Sequence, residues 1–201
     1  LESHLGLGWR LIVQHSLFAL EVCARMDLAP SIGGLREVIA RHPVETGHMD
    51  KWNMYRHCVE LVLANLAYVE RGCWDFFDDD ARALGDYEGW CQGMLAEETA
   101  RAAPSGRGEP RLGDVRYLTF TMAFLLVQGS ECERALARLT AIPEAQLWQR
   151  ATFAKILKGL GVLNFASVKS DVLYLIPRDD GWGLTPSDLG QPKFAYLRRL
   201  V

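Results

Sequence analysis

The sequence predicts an α+β fold in which an N-terminal helical bundle packs with a small C-terminal β-α-α-β unit. Three observations predict it. Apolar residues recur at helical spacing through the first hundred positions. The passage Pro104-Ser105-Gly106-Arg107-Gly108-Glu109-Pro110 then places two prolines and two glycines in seven residues, which cannot continue a helix. Beyond it, two β-favouring runs flank a pair of helical segments. The division expected is a helical region over 1–103, a turn-rich connection over 104–114 and a β-α-α-β region over 115–201, forming one compact unit. A chain of 201 residues, 49% apolar and 23% charged, has enough material for a real core.

The first helix is expected over Leu5 to Leu28, with Leu11, Ile12, Phe18, Val22 and Met26 as its apolar stripe and a stop before Pro30. A short helix from Ile32 to Arg41 ends before Pro43. From Asp50 to Arg71, one line of residues runs through Met54, Cys58, Leu61, Asn65 and Tyr68, and a second through Val59, Val62, Leu66 and Val69, with Gly72 as the stop. So broad an apolar surface predicts a central, mostly buried helix. Trp74, Phe76 and Phe77 extend its face before Asp78-Asp79-Asp80. A further helix is expected from Asp86 to about Ala102, turning Tyr87, Trp90, Met94 and Leu95 inward. In the second half, Arg116 to Val127 carries Tyr117, Thr119, Phe120, Thr121 and Phe124 and reads as a strand, as does Asp171 to Ile176 before Pro177. Glu131 to Thr140 and Glu144 to Leu160 have helical spacing between them, a crossover long enough to let the flanking strands pair in parallel.

Charge and cysteine usage narrow the function classes. Residues 1–100 carry sixteen acidic against eight basic side chains and residues 101–201 carry nine against fourteen, so the halves are −8 and +5. That asymmetry favours docking of the halves or self-association over a polyanionic ligand. Arg107, Arg111, Arg116, Arg134, Arg138, Lys155 and Lys158 are scattered rather than interleaved with aromatics, so nucleic acid is not expected as a partner. Cys23, Cys58, Cys73, Cys91 and Cys132 are an odd number without a Cys-x-x-Cys pair, which favours reduced thiols and a cytoplasm-like compartment. No run of eighteen apolar residues occurs. Since the chain starts at Leu1 without methionine, membrane attachment is expected only through segments outside it, if any.

Two blocks of the second half resemble a family. The first is Tyr117-Leu118-Thr119-Phe120-Thr121-Met122-Ala123-Phe124-Leu125-Leu126-Val127-Gln128-Gly129. The second begins at Leu160-Gly161, reaches Pro177 sixteen residues later and Leu184 seven beyond that, and closes with Leu184-Thr185-Pro186-Ser187-Asp188-Leu189. Together they resemble the domain of unknown function 1517 family of cyanobacteria, chloroplasts and other bacteria over roughly residues 115 to 190. The chain departs from that pattern in having Leu175-Ile176 where Trp-Thr is usual before the proline, and in placing the strand's acidic residue at Asp171, one position early. The resemblance implies an α+β domain without assigned activity, and it brings no catalytic residue.

Four local features bear on function. His42-x-x-Glu45-x-x-His48 offers donors of the types that bind zinc or iron, but Pro43 and Gly47 make it a loop, where such residues are ordinary solvated turn chemistry. Asp78-Asp79-Asp80 lacks the glycine and glutamate of a calcium loop, Ala83 and Gly89 standing there, and reads as a helix cap. Gly159-x-Gly161 reads as a helix stop. Trp182, between Gly181 and Gly183 beside Asp179 and Asp180, is either a plug or a binding anchor. The function expected is a non-enzymatic protein-interaction or regulatory domain that binds a protein partner, or another copy of itself, through Asp179, Asp180, Trp182 and Leu184, with no cofactor. The alternative is a helical metal-dependent enzyme using His42, Glu45 and His48.

Overall fold

The computed structural model describes residues 13–41, 47–100, 111–178 and 182–201. The described residues run from strand β1 (His15–Arg25) through α1 (Gly34–Arg41), α2 (His48–Ala64), β2 (Val69–Phe77), α3 (Asp80–Ala100), β3 (Tyr117–Val127), α4 (Glu131–Thr140), α5 (Arg150–Gly159), β4 (Val168–Ile176) and α6 (Pro186–Leu189) to the two-residue β5 (Arg198–Arg199). The strands form one sheet in the order β4-β3-β1-β2-β5, and every neighbouring pair is antiparallel.

The protein is therefore α+β, but the described residues hold no N-terminal helical bundle: the start of the helix expected over Leu5 to Leu28 lies outside them, and their first element is the central strand of the sheet. Ser16 to Ala24 are all buried, so both faces of β1 are covered and the run carries no alternation to betray it. Phe18, Val22 and Met26 lie four apart, a spacing that fits one face of a helix and one face of a strand equally. The second long helix also ends sooner than its periodicity predicts. Asn65 halts α2 by donating its backbone N–H to Leu61 and Val62 and its side-chain amide to the Leu61 carbonyl, and four residues later the chain is extended as β2. Gly72, expected as a helix stop, lies within β2 directly beneath Phe153, whose ring would stand 2.6 Å from any Cβ placed there. In the second half, β3 and β4 are adjacent and antiparallel rather than parallel, with Phe120 opposite Leu175. Both belong to the same sheet as the N-terminal strands, so residues 115–201 are not a unit packed beside a bundle.

The register sorts the side chains into two cores. Phe18, Leu20, Val22 and Ala24 share one face with Leu118, Phe120, Met122 and Phe124, beneath α1, α2, α4 and α5. On this face Asp171 of β4 accepts hydrogen bonds from Tyr55 Oη and Lys51 Nζ, fixing α2 to the sheet. Leu17, Ala19 and Cys23 share the other face with Ala123, Leu125, Val172, Tyr174 and Ile176. Here α3 and the C-terminal segment form the cover through Ala83, Tyr87, Trp90, Leu184, Leu189, Phe194 and Leu197. Asp79 caps α3 by accepting from the Arg82 N–H, and Asp80 accepts from the backbone and ring nitrogens of His15, which holds the helix to the start of β1. No helix among the described residues is long and apolar enough to cross a membrane.

The Leu184 to Leu189 motif acquires a physical meaning. Thr185 Oγ1 accepts from the Asp188 N–H at 3.1 Å and Asp188 Oδ2 accepts from the Thr185 N–H at 2.8 Å, a reciprocal capping box that starts α6. Leu184 and Leu189 on either side are buried, and Leu184 exchanges two backbone hydrogen bonds with Tyr117. The segment is thus pinned to the end of β3.

Candidate functional site

The second face of the sheet carries a polar row across an otherwise apolar surface. Cys73 of β2 lies opposite Glu21 of β1, Glu21 opposite Thr121 of β3, and Thr121 opposite Tyr174 of β4, so four neighbouring strands place one polar or thiol side chain each in a line. Thr119, two residues along β3, stands on the same face. Glu21 is 0% exposed. Its Oε2 accepts a 2.9 Å hydrogen bond from the Tyr196 hydroxyl, which comes down from the C-terminal segment. Burial pushes the Glu21 carboxyl up from the ordinary 4.5 to about 7, and the hydroxyls of Tyr196, Thr121 and Thr119 pull it partway back. The threonine hydroxyls stand near enough to act on the carboxyl, yet Glu21 Oε1, Thr119 Oγ1 and Thr121 Oγ1 all lack a hydrogen-bond partner of normal geometry. A buried polar atom left unpaired costs about 1–3 kcal/mol, so a cluster of them needs an explanation beyond packing.

Next to this row lies a cavity of about 690 Å³, within the range of small-molecule pockets. Its walls include Trp90, Trp148, Tyr174, Phe194 and Tyr196, and basic side chains from three elements of the chain, Arg82, Lys193 and Arg198, reach it. Strand β5 pairs with β2 only at Arg71 and Gly72, and the cavity takes in Cys73, Trp74, Asp75 and Phe77 along the remaining edge of β2. Trp90 meets Tyr196 edge to face at 6.0 Å, so the tyrosine that bonds Glu21 is also part of the cavity wall. Burial raises the Tyr196 and Tyr174 hydroxyls well above the ordinary tyrosine value, which keeps both protonated as donors.

The helix over the cavity has an unusual composition. On α3, Arg82, Gly85, Asp86, Gly89 and Trp90 recur at steps of three and four and share the face turned to the cavity. A Cβ at Gly85 or Gly89 would meet nothing within 4 Å. Glycine inside a helix costs roughly 0.8–1.0 kcal/mol relative to alanine, so these positions forgo stability that the surrounding space would permit. Both glycines are exposed, and they leave the α3 side of the cavity without side chains at those two positions.

The residues singled out from the sequence are placed elsewhere. His42 and Glu45 lie outside the described residues, and His48 is exposed at the first position of α2. Asp179 and Asp180 also lie outside them. Trp182 is 43% exposed, whereas Leu184, expected on a binding surface, is 2% exposed and belongs to the core. All five cysteines are free. Burial pushes the thiols of Cys23, Cys73 and Cys132 up and that of Cys58 to about 12, holding them protonated.

No family model, curated protein or solved structure matches this chain. The site therefore rests on its own geometry.

Sequence reasoning missed Glu21, Thr119, Thr121, Tyr174 and Tyr196. One signal was available: Glu21 is the lone charged residue within Ser16 to Ala24. In a helix it would be an ordinary polar-face residue, and only in a strand buried on both faces does it become an anomaly.

Proposed function

We propose that this domain binds a small, flat, largely apolar molecule in the cavity on the second face of the sheet and acts as a ligand-responsive regulatory unit. The observation that carries the reading is the pair Gly85 and Gly89, which keep open an aromatic-walled space at a cost in helix stability. The buried polar row beside it supports the same reading. Tyr196 connects the two, because it lines the cavity while bonding Glu21, so occupancy is felt by the C-terminal segment. The resemblance to the domain of unknown function 1517 family fits a domain of this kind and contributes no site residue.

Titration of the full chain with the neutral fluorophore phenylnaphthylamine tests the proposal. Saturable one-to-one binding is expected, and Gly89→Leu, which fills the roof, should weaken it by about ten-fold or more, the equivalent of about 1.4 kcal/mol. The thermal midpoint of the variant should stay level or rise, since leucine is a far better helix former. Equal binding by both proteins contradicts the reading.

A second reading, a protein-partner surface at Trp182, is favoured by the exposure of that indole beside the pinned Gly183-Leu184 corner. Trp182→Ala should then leave the thermal midpoint within about 2 °C of the parent, as a surface change does, and abolish recovery of the partner by affinity purification. Unchanged recovery counts against it.

A further inference from the structure

A second, narrower cavity lies on the first face of the sheet, away from the site above. Trp52, Tyr55, Arg56, Val59, Glu60 and Leu63 recur at steps of three and four, so one face of α2 lines it over about 16 Å of helix. Leu157 of α5 and Leu163 and Phe165 beyond it form the other side, and Met122 of β3, buried in the first core, lies at the floor. The volume is about 270 Å³, roughly the liquid volume of nine waters, so a space that runs this far along the helix is a slot rather than a chamber. Its interior offers water no free side-chain partner. The buried hydroxyl among its walls, that of Tyr55, is committed to Asp171, and the charged members of the lining, Arg56, Glu60 and Lys158, are exposed at the mouth. An apolar space of this kind is poorly hydrated and takes an apolar guest. Its narrowness suits a single saturated chain.

The charges at the mouth are not equivalent. Arg56 folds over the Trp52 ring at 4.9 Å and lies 3.8 Å from Glu60. Lys158 has no carboxylate within ion-pair distance among the described residues. A chain that fills the slot must leave its polar end at this mouth, because burying a polar group unpaired is unfavourable. We propose that the slot binds a free medium-chain aliphatic carboxylate, its chain of about eight carbons lying along α2 over Met122 and its carboxylate at Lys158. This site is independent of the cavity on the second face, and the two readings stand or fall separately.

Calorimetric titration of the full chain with straight-chain carboxylates from butanoate to dodecanoate tests the proposal. Each added methylene should tighten binding about four-fold, as burial of a CH₂ does, until the slot is full at about eight carbons, and longer chains should gain little. Octanoate should bind about three-fold more tightly than octanol, as an exposed ion pair allows, and Lys158→Gln should erase that difference. The carbon-13 methyl resonance of Met122, assigned through Met122→Leu, should shift when octanoate is added. Val59→Trp, which fills the slot, should abolish binding, and the series on the unmodified chain decides the matter if this variant folds poorly. A Met122 signal that octanoate leaves in place, or an affinity that climbs with chain length without a limit, overturns the assignment. So does binding to phosphatidylglycerol vesicles in place of free octanoate. Equal binding of octanoate and octanol overturns the carboxylate and leaves the aliphatic guest.

Discussion

Raising the pH from about 4 to about 8 should lower the resistance of the folded chain to urea by about 3 kcal/mol, and Glu21→Gln should remove most of that dependence. The sign follows from the direction of the Glu21 displacement, from 4.5 up to about 7. Below 4.5 the carboxyl is protonated in both folded and unfolded chains and its burial carries no ionic penalty. As the pH rises further the unfolded chain ionises first, the folded chain holds the extra proton, and stability falls until the pH passes about 7, above which both states are charged and the loss is complete. The groups that face the carboxyl are Cys73 on β2, Thr119 and Thr121 on β3, Tyr174 on β4 and Tyr196 from the C-terminal segment, and the thiol and phenols among them are pushed up rather than down, so they stay neutral through this window. Burial also raises Asp75, which adds a smaller loss of the same sign. Asp27, paired with Arg25, is lowered and acts only at acid pH. Glutamine can still accept the Tyr196 hydrogen bond, so the difference between the two urea midpoints across the pH series isolates the ionisation of Glu21.

Gly183→Ala should cost about 3 kcal/mol, seen as a fall of roughly 10 °C in the thermal midpoint. Two penalties combine. Gly183 has φ +74°, where an L side chain is disfavoured by about 1–2 kcal/mol. Its Cβ would also stand 2.7 Å from Met26 Sδ and 2.9 Å from the Tyr117 carbonyl oxygen, and that overpacking adds about 1–3 kcal/mol. The carbonyl belongs to the two-bond bridge between Tyr117 and Leu184 that pins the C-terminal segment, so the damage should spread to the cover of the second face. Gly129, with φ +76° and nothing within 4 Å of a Cβ, provides the comparison: Gly129→Ala carries the backbone penalty alone, about 1–2 kcal/mol. Equal losses at the two positions would mean that the corner is not tightly packed.

The α+β character of the protein was legible in the sequence, and so was β3, whose Tyr117, Thr119 and Thr121 favour extended backbone and which the structure places over Tyr117–Val127. The helix Glu131–Thr140 was legible in its helical apolar spacing, and the structure adds the cap, Ser130 accepting from the Glu133 N–H. β1 escaped because a strand covered on both faces loses its alternation, and its four-residue apolar spacings imitate a helix. β2 was absorbed into the preceding helical pattern, because the Asn65 cap is a matter of hydrogen bonding that apolar periodicity does not register. The site was illegible for the same reason: Glu21, Thr121 and Tyr174 lie far apart in sequence and meet only through strand register. Leu184 was misplaced because a hydrophobic residue before a capping box looks alike whether it anchors the corner or offers it to a partner.

The most direct test of the account is a carbon-13 NMR titration of the Glu21 side-chain carboxyl in the full chain, with and without phenylnaphthylamine. The polar row and the cavity, taken as one site, predict a midpoint near 7 in the free protein and a displaced midpoint once the cavity is filled, because Tyr196 belongs to both. A midpoint in the ordinary carboxylate range, unmoved by the fluorophore, would contradict it.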